Sequence, residues 1–231
     1  MDAAAGGVFQ TDSLPTGDAL IFWHPRPPSS FARRTVGLLG GSFNPAHDGH
    51  RHVALTALAG LGLDEIWWLV SPQNPLKADD GMMPLADRLA SAARMARHPA
   101  MRATGLEAGL GTAYTADTLE KIKALYPRNS FVWIMGADNL VQIPAWKNWP
   151  KIFHSIPVAV FARPSYSARA LSGAAAQRFA RRRVPENRAR RLAQCAPPAW
   201  TFIHCRLHDA SASAIRAGTA ASPEAAFPAE T

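Results

Sequence analysis

The sequence has few cysteines and no long apolar run, and each scarcity excludes a class of protein. Its two cysteines, Cys195 and Cys205, cannot build a disulfide framework, which favours a reducing compartment. No apolar stretch approaches the roughly 20 residues that a membrane-spanning helix requires. The N-terminus lacks a basic start, and its apolar patch at residues 19–23 is too short for a secretory signal. We therefore expect a cytoplasmic protein that binds no membrane.

The chain is long enough for one domain with a sizeable core, because 48% of its 231 residues are hydrophobic. Residues 1–34 are rich in Gly, Pro and Ser without any sustained period, which predicts a loosely ordered leader. Residues 219–231 contain Ala, Pro and Glu and are predicted to form a C-terminal tail. The predicted domain therefore covers residues 35–218.

The basic charge is local. Residues 163–191 contain nine arginines, no lysine and one glutamate, and so account for the whole net charge of +8. A solvated basic helix over 178–191, interrupted by Pro185, is the simplest interpretation, and it could help to attract anionic nucleotides. A nucleic-acid-binding module is a competing hypothesis that predicts salt-sensitive binding. The neutral remainder of the chain argues against it.

Short apolar runs alternate with helical patterns along the chain. The predicted strands are 35–39, 65–70, 103–107, 131–135, 157–161 and 201–205. The predicted helices are 49–61, 84–97, 115–126 and a short one at 211–217. Continuously apolar strands separated by helices indicate an α/β fold with a Rossmann-like, doubly wound parallel sheet. Ligands bind at the carboxyl ends of such strands, here loops 40–50, 71–77, 136–149 and 208–216.

The loop after the first strand carries the main functional signal. Gly40 and Gly41 allow the backbone to approach a phosphate, and the N–H groups of the following helix point at an anion. The loop fits neither the P-loop nor the dinucleotide G-x-G-x-x-G pattern. Instead, His47 and His50 lie three positions apart at the helix start, where both rings could donate to phosphate oxygens. A helix cap with a buried histidine, or a metal pair, remains open as an alternative, although no third ligand has a recognisable spacing.

These residues carry a resemblance to a known family. Residues 41–50 (GSFNPAHDGH) match the G-x-F-x-P-x-H-x-G-H signature of nucleotidylyltransferases. Residues 210–216 (ASASAIR) resemble the second signature, I-S-S-T-x-x-R, with Ala210 in place of Ile and Ser213 in place of Thr. Residues 74–77, 114–119 and 136–140, followed by Trp146 and by Arg163-Pro164, are similar to bacterial nicotinate-nucleotide adenylyltransferases. The resemblance extends over about residues 35–218.

The resemblance implies transfer of the adenylyl group of ATP to nicotinate mononucleotide, with release of pyrophosphate. His47 and His50 would be the catalytic residues, stabilising the transferring group and the leaving oxygen. The residues implied to bind ATP are Gly40, Gly41, Ser42, Phe43, His47, His50, Ser211, Ser213 and Arg216. Magnesium would arrive with ATP and bridge its phosphates, so no metal site built by the protein is expected.

The same resemblance implies a second set of residues for the acceptor. The residues implied to bind the mononucleotide are Asn44, Lys77, Thr115, Asp138, Trp146 and Lys147. Trp146 would stack on the pyridine ring, backbone N–H groups at Thr115 and Lys147 would meet its carboxylate, and Lys77 would face its phosphate. Asp138 would accept hydrogen bonds from ribose hydroxyls.

Plainer interpretations stay open for several of these residues. Trp146 could be a core residue, Lys77 a solvated loop residue, Asp138 a helix N-cap, and 211–216 an ordinary capped helix. Nicotinamide mononucleotide, pantetheine phosphate and cytidylyl transfer are the alternative chemistries, and Trp146 with residues 136–140 argues against the last two. The expected partners are these small molecules, without nucleic acid, and a homo-oligomer is compatible with the sequence.

Overall fold

The structure is a computed structural model that describes residues 33–72, 81–163 and 165–205. Its strands are β1 (Thr35–Gly41), β2 (Glu65–Val70), β3 (Met101–Thr104), β4 (Ser130–Gly136), β5 (Val158–Phe161) and β6 (Trp200–Ile203). All six predicted strands are present in one sheet, most of them within two residues of their predicted bounds. The predicted leader, the predicted tail and the predicted helix at 211–217 lie outside the described residues, apart from residues 33 and 34, and the domain bounds stay predictions.

Helices connect the strands. In the described residues they are α1 (Asp48–Leu61), α2 (Leu85–Met95), α3 (Leu106–Gly109), α4 (Thr115–Leu125), α5 (Ala137–Gln142), α6 (Trp149–Ser155), α7 (Ser167–Ser172) and α8 (Ala174–Arg178). Short 3₁₀ turns occur at Ile143–Ala145 and Ala180–Arg182, and a nine-residue run of 3₁₀ turns spans Glu186–Gln194. The predicted helices at 49–61, 84–97 and 115–126 are confirmed as α1, α2 and α4. Among the described residues, no helix is long and apolar enough to span a bilayer.

The strands form a single parallel sheet with the order β3-β2-β1-β4-β5-β6. The order reverses between β1 and β4, because the chain builds outwards from β1 to β3 and then returns to the other side of β1. A crevice at the carboxyl ends of the strands is expected at such a reversal. The predicted Rossmann-like, doubly wound fold is therefore confirmed.

The apolar runs are explained by burial on both faces of the sheet. Leu38 and Trp67 belong to one hydrophobic core, whereas their chain neighbours Leu39 and Trp68 belong to the other. The first core packs under α4 to α8, and the second packs under α1, α2 and the turn at Glu186–Gln194. Successive side chains of a strand point to opposite faces of the sheet. When both faces are covered, every position is buried, so the strand is apolar throughout and does not alternate between apolar and polar residues.

The predicted third strand is misplaced. The sequence pattern predicts it at 103–107, whereas β3 begins at Met101 and ends at Thr104, and α3 begins at Leu106. Gly105 ends the strand, and the Thr104 hydroxyl oxygen accepts the backbone N–H of Leu106 at 3.1 Å. This local hydrogen bond turns the chain into α3, so Glu107 lies on a helix and not on a strand.

The arginine-rich segment does not form the basic helix that its composition predicts for 178–191. Residues 183 and 184 instead run beside β6, where the Val184 N–H donates to the Trp200 carbonyl oxygen at 2.7 Å. Pro185 has no N–H and follows directly, and the chain then enters a 3₁₀ turn. Ala189 and Leu192 are buried in the core, while the arginines between 178 and 191 remain exposed. The segment therefore covers the edge of the sheet and presents its charge to solvent.

Candidate active site

The carboxyl end of β1 requires glycine. A Cβ atom on Gly40 would overlap the ring of Trp133, which lies on the neighbouring strand β4. A Cβ on Gly41 would come within 3.3 Å of the Phe43 ring. The main chain therefore packs directly on aromatic side chains where β1 ends, which places the backbone of the following loop at the floor of the crevice.

Phe43 sets the shape of that loop. It has a φ of 46°, a left-handed conformation that costs a bulky residue of order 1–3 kcal/mol. The ring is only 1% exposed, and it stacks on Trp68 with centroids 5.2 Å apart. Its centroid lies 4.9 Å from that of the His50 ring. Burial of this ring offsets the backbone strain, and its edge contact with the imidazole helps to hold His50 in place.

The two predicted histidines lie side by side. His47 is the N-cap residue of α1, and its backbone N–H donates to Nδ1 of His50 at 3.2 Å. Since Nδ1 of His50 accepts this hydrogen bond, the proton of the neutral ring is placed on Nε2. The ring centroids are 3.8 Å apart, and His47 is only 3% exposed. The structure thus places the two rings side by side with a cap interaction between the residues, and their predicted catalytic role stays a prediction.

Asn44 connects this loop to the segment that follows residue 80. Its Nδ2 donates to the Gly81 carbonyl oxygen at 2.9 Å, and its Oδ1 accepts the Met83 N–H at 3.1 Å. Both ends of the buried amide thus bind the protein backbone. The structure gives Asn44 a role in holding the loop, and its predicted contact with the mononucleotide stays a prediction.

Arg88 is a site residue that sequence reasoning missed. It is only 1% exposed, and its guanidinium donates to four backbone carbonyl oxygens at 2.6–2.9 Å. These carbonyls belong to Ser42, Ser71, Pro72 and Met83. Burial lowers the pKa of Arg88 from its ordinary value. Arg88 therefore connects the loop after β1 with two stretches of chain, one directly after β2 and one directly before α2. No local sequence signal distinguishes it from a surface arginine on α2.

Three of the six predicted acceptor residues come together on the other side of the crevice. Thr115 is the first residue of α4, and the Nζ atom of Lys147 lies 4.3 Å from the ring centroid of the preceding Tyr114. Trp146, next to Lys147, is partly buried against the core below. Thr115, Trp146 and Lys147, which are distant in sequence, therefore lie in one region. Tyr114 joins them, and the sequence pattern gives it no role in ligand binding.

Asp138 lies in the first turn of α5, directly after β4. The N-cap position belongs to Gly136, so the alternative interpretation of Asp138 as an N-cap is wrong. Its Oδ1 atom is 3.6 Å from Nε of Arg163, which follows β5. A Cβ on Gly136 would overlap this carboxylate. The half-buried Asp138 thus stands at the carboxyl end of the sheet, beside a positive charge.

Glu107 is a second residue that the sequence did not reveal. It is 8% exposed, and its carboxyl group hydrogen-bonds with the hydroxyls of Thr118 and Ser71. Burial raises the pKa of Glu107 to about 7, and the two hydroxyl hydrogen bonds oppose that rise. Ser71 directly follows β2, so this carboxyl group lies close to the carboxyl edge of the sheet.

Four predicted site residues lie outside the described residues: Lys77, Ser211, Ser213 and Arg216. Their predicted roles stay predictions. Within residues 33–72, 81–163 and 165–205, no group of three or more His, Cys, Asp or Glu side chains is arranged to hold a metal ion.

The arrangement suits two anionic ligands that meet at the reversal of strand order. On one side, the N-terminus of α1 lies next to the glycine-rich end of β1 and carries the imidazole pair. The backbone N–H groups and the dipole at this helix end favour phosphate groups. On the other side, the start of α4 and the aromatic residue Trp146 suit a flat ring that carries a negative charge. The loops after β1 and β4 leave towards opposite faces of the sheet and so bound the crevice between them.

Comparison with known proteins agrees with this geometry. A family model described as cytidylyltransferase-like matches residues 38–218. A protein of Cereibacter sphaeroides, named "Probable nicotinate-nucleotide adenylyltransferase", is 51% identical over 182 residues, which cover 79% of this chain and 96% of that protein. A protein of the same name from Rhizobium johnstonii is 46% identical over 192 residues, 83% of this chain and 96% of that protein.

The fold has solved counterparts as well. The nicotinic acid mononucleotide adenylyltransferase of Plasmodium falciparum, solved in complex with NaAD, is similar to this chain with a TM-score of 0.60 at 16% identity. The match covers 80% of this chain and 83% of that one, and it bears on the fold alone. The bacterial relatives carry the assignment, because they match over nearly their whole length at about half identity. On that ground the chain belongs to the nicotinate-nucleotide adenylyltransferase family.

Proposed function

We propose that this protein transfers the adenylyl group of ATP to nicotinate mononucleotide, forming nicotinate adenine dinucleotide and pyrophosphate in NAD biosynthesis. The observation that carries the proposal is the imidazole pair at the start of α1, where the His47–His50 hydrogen bond places a proton on Nε2 of His50. The close relatives bear the name of this activity.

The reaction needs positioning and charge neutralisation more than a strong base. A phosphate oxygen of the mononucleotide attacks the α-phosphorus of ATP, and a new P–O bond forms. The bond from the α-phosphorus to the oxygen that bridges it to the β-phosphate breaks, and pyrophosphate leaves with that electron pair. Phosphate monoesters are already largely ionised at pH 7, because their second pKa is about 6. His47 and His50 supply donors to the negative charge on the transferring group and the leaving oxygen.

The end of β1 provides the ATP side of this proposal. Backbone groups of Gly40, Gly41, Ser42 and Phe43 line the phosphates, close to the N-terminus of α1. Ser211, Ser213 and Arg216 are proposed to hold the β- and γ-phosphates. The described residues here offer imidazoles, backbone N–H groups and the carboxylate of Asp138. Mg²⁺ prefers several oxygen ligands, so this set fits a metal ion held mainly by the phosphates of ATP. When bound, Mg²⁺ supplies neutralisation of phosphate charge.

The acceptor is proposed to lie across the crevice. Trp146 stacks on the pyridine ring, and the backbone N–H groups of Thr115 and Lys147 donate to its carboxylate. The position of the Lys147 side chain over Tyr114 supports this assignment, since it directs the ammonium group to that ring and leaves the backbone for the ligand. Asp138 accepts hydrogen bonds from ribose, and Lys77 with Asn44 faces the phosphate. We place this small-molecule chemistry in the cytoplasm.

Nicotinate and nicotinamide mononucleotides should be offered together, with ATP and Mg²⁺, and the two products quantified. The proposal expects a larger specificity constant for the nicotinate form, because backbone N–H groups at the start of a helix favour a carboxylate over a neutral amide. A preference for the nicotinamide form would replace the proposed acceptor, and absence of either product would remove the adenylyl transfer itself.

A further inference from the structure

Glu107 lies in a small cluster of hydroxyl groups between the end of β2 and α4. Its carboxyl group hydrogen-bonds with Ser71 and Thr118, and its backbone carbonyl oxygen accepts the Thr112 N–H at 3.1 Å. The hydroxyl oxygens of Thr112 and Thr118 are 2.8 Å apart. These contacts fix the buried carboxyl group against α4, although nothing in the chemistry proposed above uses it.

The cluster directs Glu107 towards the start of α4. The Thr118 hydroxyl oxygen also lies 3.2 Å from the carbonyl oxygen of Tyr114, so its side chain points back towards the first turn of the helix. Thr115, whose backbone N–H is proposed to bind the ring carboxylate, lies in that turn. The Tyr114 carbonyl oxygen belongs to the same peptide group as the Thr115 N–H, so the Thr118 hydroxyl connects the Glu107 carboxyl group to the first turn of α4, where the ring carboxylate is proposed to bind.

Charged residues lie on the segments of chain next to this cluster. Arg88 of α2 donates to the Ser71 carbonyl oxygen, and Lys121 of α4 donates to the Leu110 carbonyl oxygen. Asp117 lies in the first turn of α4, and Lys147 lies over Tyr114. Burial raises the pKa of Glu107 to about 7, and the hydrogen bonds to the hydroxyls of Thr118 and Ser71 oppose that rise. All of these groups are present whichever mononucleotide binds, whereas the ring carboxylate is present only with the nicotinate form.

We propose that Glu107 is a specificity-determining residue, whose proton controls the preference between a nicotinate ring and a nicotinamide ring. When Glu107 is uncharged, a carboxylate can bind beside it. When Glu107 is ionised, two negative charges share a buried region, and binding of the nicotinate form is weakened relative to the neutral amide form. Near neutral pH, binding of the nicotinate form then raises the protonated fraction of Glu107, and the proton comes from solvent. This inference rests on the proposed function.

The test is the ratio of the specificity constants of the two mononucleotides, measured in competition from about pH 6 to about pH 8.5. Both acceptors carry the same phosphate, so its titration cancels in the ratio. In the wild-type protein, the preference for nicotinate should fall about tenfold over this range, the effect of one unit of differential pKa. In Glu107→Gln, which keeps the hydrogen bonds to the hydroxyls without the charge, the ratio should be independent of pH. Glu120→Gln, an exposed site on α4, should behave as the wild type.

A second measurement uses the wild-type protein only. Calorimetric titrations at about pH 7.5, in buffers of different ionisation enthalpy, count the protons taken up with each mononucleotide. Greater uptake with the nicotinate form supports the proposal. Equal uptake with both forms, or a Glu107→Gln ratio that keeps the wild-type pH profile, overturns it while leaving adenylyl transfer intact. Failure to adenylylate either mononucleotide at any pH overturns both this inference and the proposed function.

Discussion

At the scale of single residues, the hydrogen bond from the His47 N–H to Nδ1 of His50 links helix capping to chemistry. A ring that accepts at Nδ1 must present Nε2 as a donor when it is neutral. Capping and the proposed catalytic role therefore do not compete here, since the cap interaction selects the tautomer that the proposed mechanism requires. The sequence offered capping and phosphate binding as alternative interpretations; the structure shows the cap interaction, and its geometry is compatible with the proposed phosphate contact.

His50→Asn separates the two roles. The amide oxygen of asparagine can replace Nδ1 as the acceptor of the His47 N–H, but the Nε2 donor is lost. We expect kcat to fall by about 10²–10³ with little change in the unfolding midpoint, because one preformed donor to the transition state is removed. The measurement is steady-state kinetics with thermal unfolding. His154→Asn, at an exposed histidine of α6, is the control, and a fully active His50→Asn protein would contradict the mechanism.

Arg88→Met tests the buried guanidinium. The substitution leaves the carbonyl oxygens of Ser42, Ser71, Pro72 and Met83 without the donor that they share, around a side chain that is only 1% exposed. We expect the free energy of unfolding to fall by about 3 kcal/mol or more, as buried polar groups lose their partners. Denaturant unfolding measures this change. Arg94→Met on the exposed face of the same helix should change it by less than about 0.5 kcal/mol, and an equal effect at both positions would refute the assigned role.

At the scale of elements, β1 and β4 pack so closely that one glycine decides the position of the loop between β1 and α1. Gly40 lies against the Trp133 ring, and a larger residue must displace either the strand or the indole. The loop that carries both histidines starts two residues later. The packing of the sheet and the geometry of the catalytic loop are therefore coupled through this contact.

Gly40→Ala should lower both stability and activity. Overpacking of this kind costs about 1–3 kcal/mol, and the displaced loop should lower kcat as well. Adding Trp133→Phe, which removes the ring atoms that the new methyl group meets, should restore part of both losses in a double-mutant cycle. Gly60→Ala is the matched control, since a methyl group added there, in α1, would have no atom within 4 Å and should leave activity unchanged. Additive effects of the two substitutions at Gly40 and Trp133 would disprove the coupling.

The arginine-rich segment illustrates the difference between composition and element. Its charge predicts a solvated helix, but Ala189 and Leu192 enter the core and Val184 pairs with Trp200. The path of the chain is decided by the apolar residues of the segment and by Pro185, which interrupts any helix. The arginines do not decide it. Deleting this segment would remove part of the core, so its charge is better tested by substituting the exposed arginines.

At the scale of the whole molecule, Glu107 makes stability depend on pH. Burial raises its pKa from 4.5 to about 7, so the folded state binds the proton more tightly than the unfolded state does. This contribution to stability is fully present below about pH 4.5, and it is lost as the pH rises through 7. The loss amounts to about 3 kcal/mol once Glu107 is ionised.

Glu107→Gln should remove this dependence. We expect the variant to gain stability over the wild type as the pH rises from about 5 to about 8, with the difference levelling off above that range. Denaturant unfolding of both proteins at a series of pH values measures it. A difference that is constant over the whole range would show that Glu107 does not titrate in the folded protein near neutrality.

The sequence by itself determined the sheet, the glycine loop and the histidine pair, because each rests on residues close together in the chain. Apolar runs without alternation specify strands covered on both faces, and a three-residue spacing at a helix start brings two rings to one side. Tertiary structure alone decided the rest. Arg88, Glu107 and Tyr114 look like ordinary polar or aromatic residues until the fold places them against Ser71, Thr118 and Lys147. Desolvation and long-range hydrogen bonding give them their roles, and neither is encoded in any local spacing.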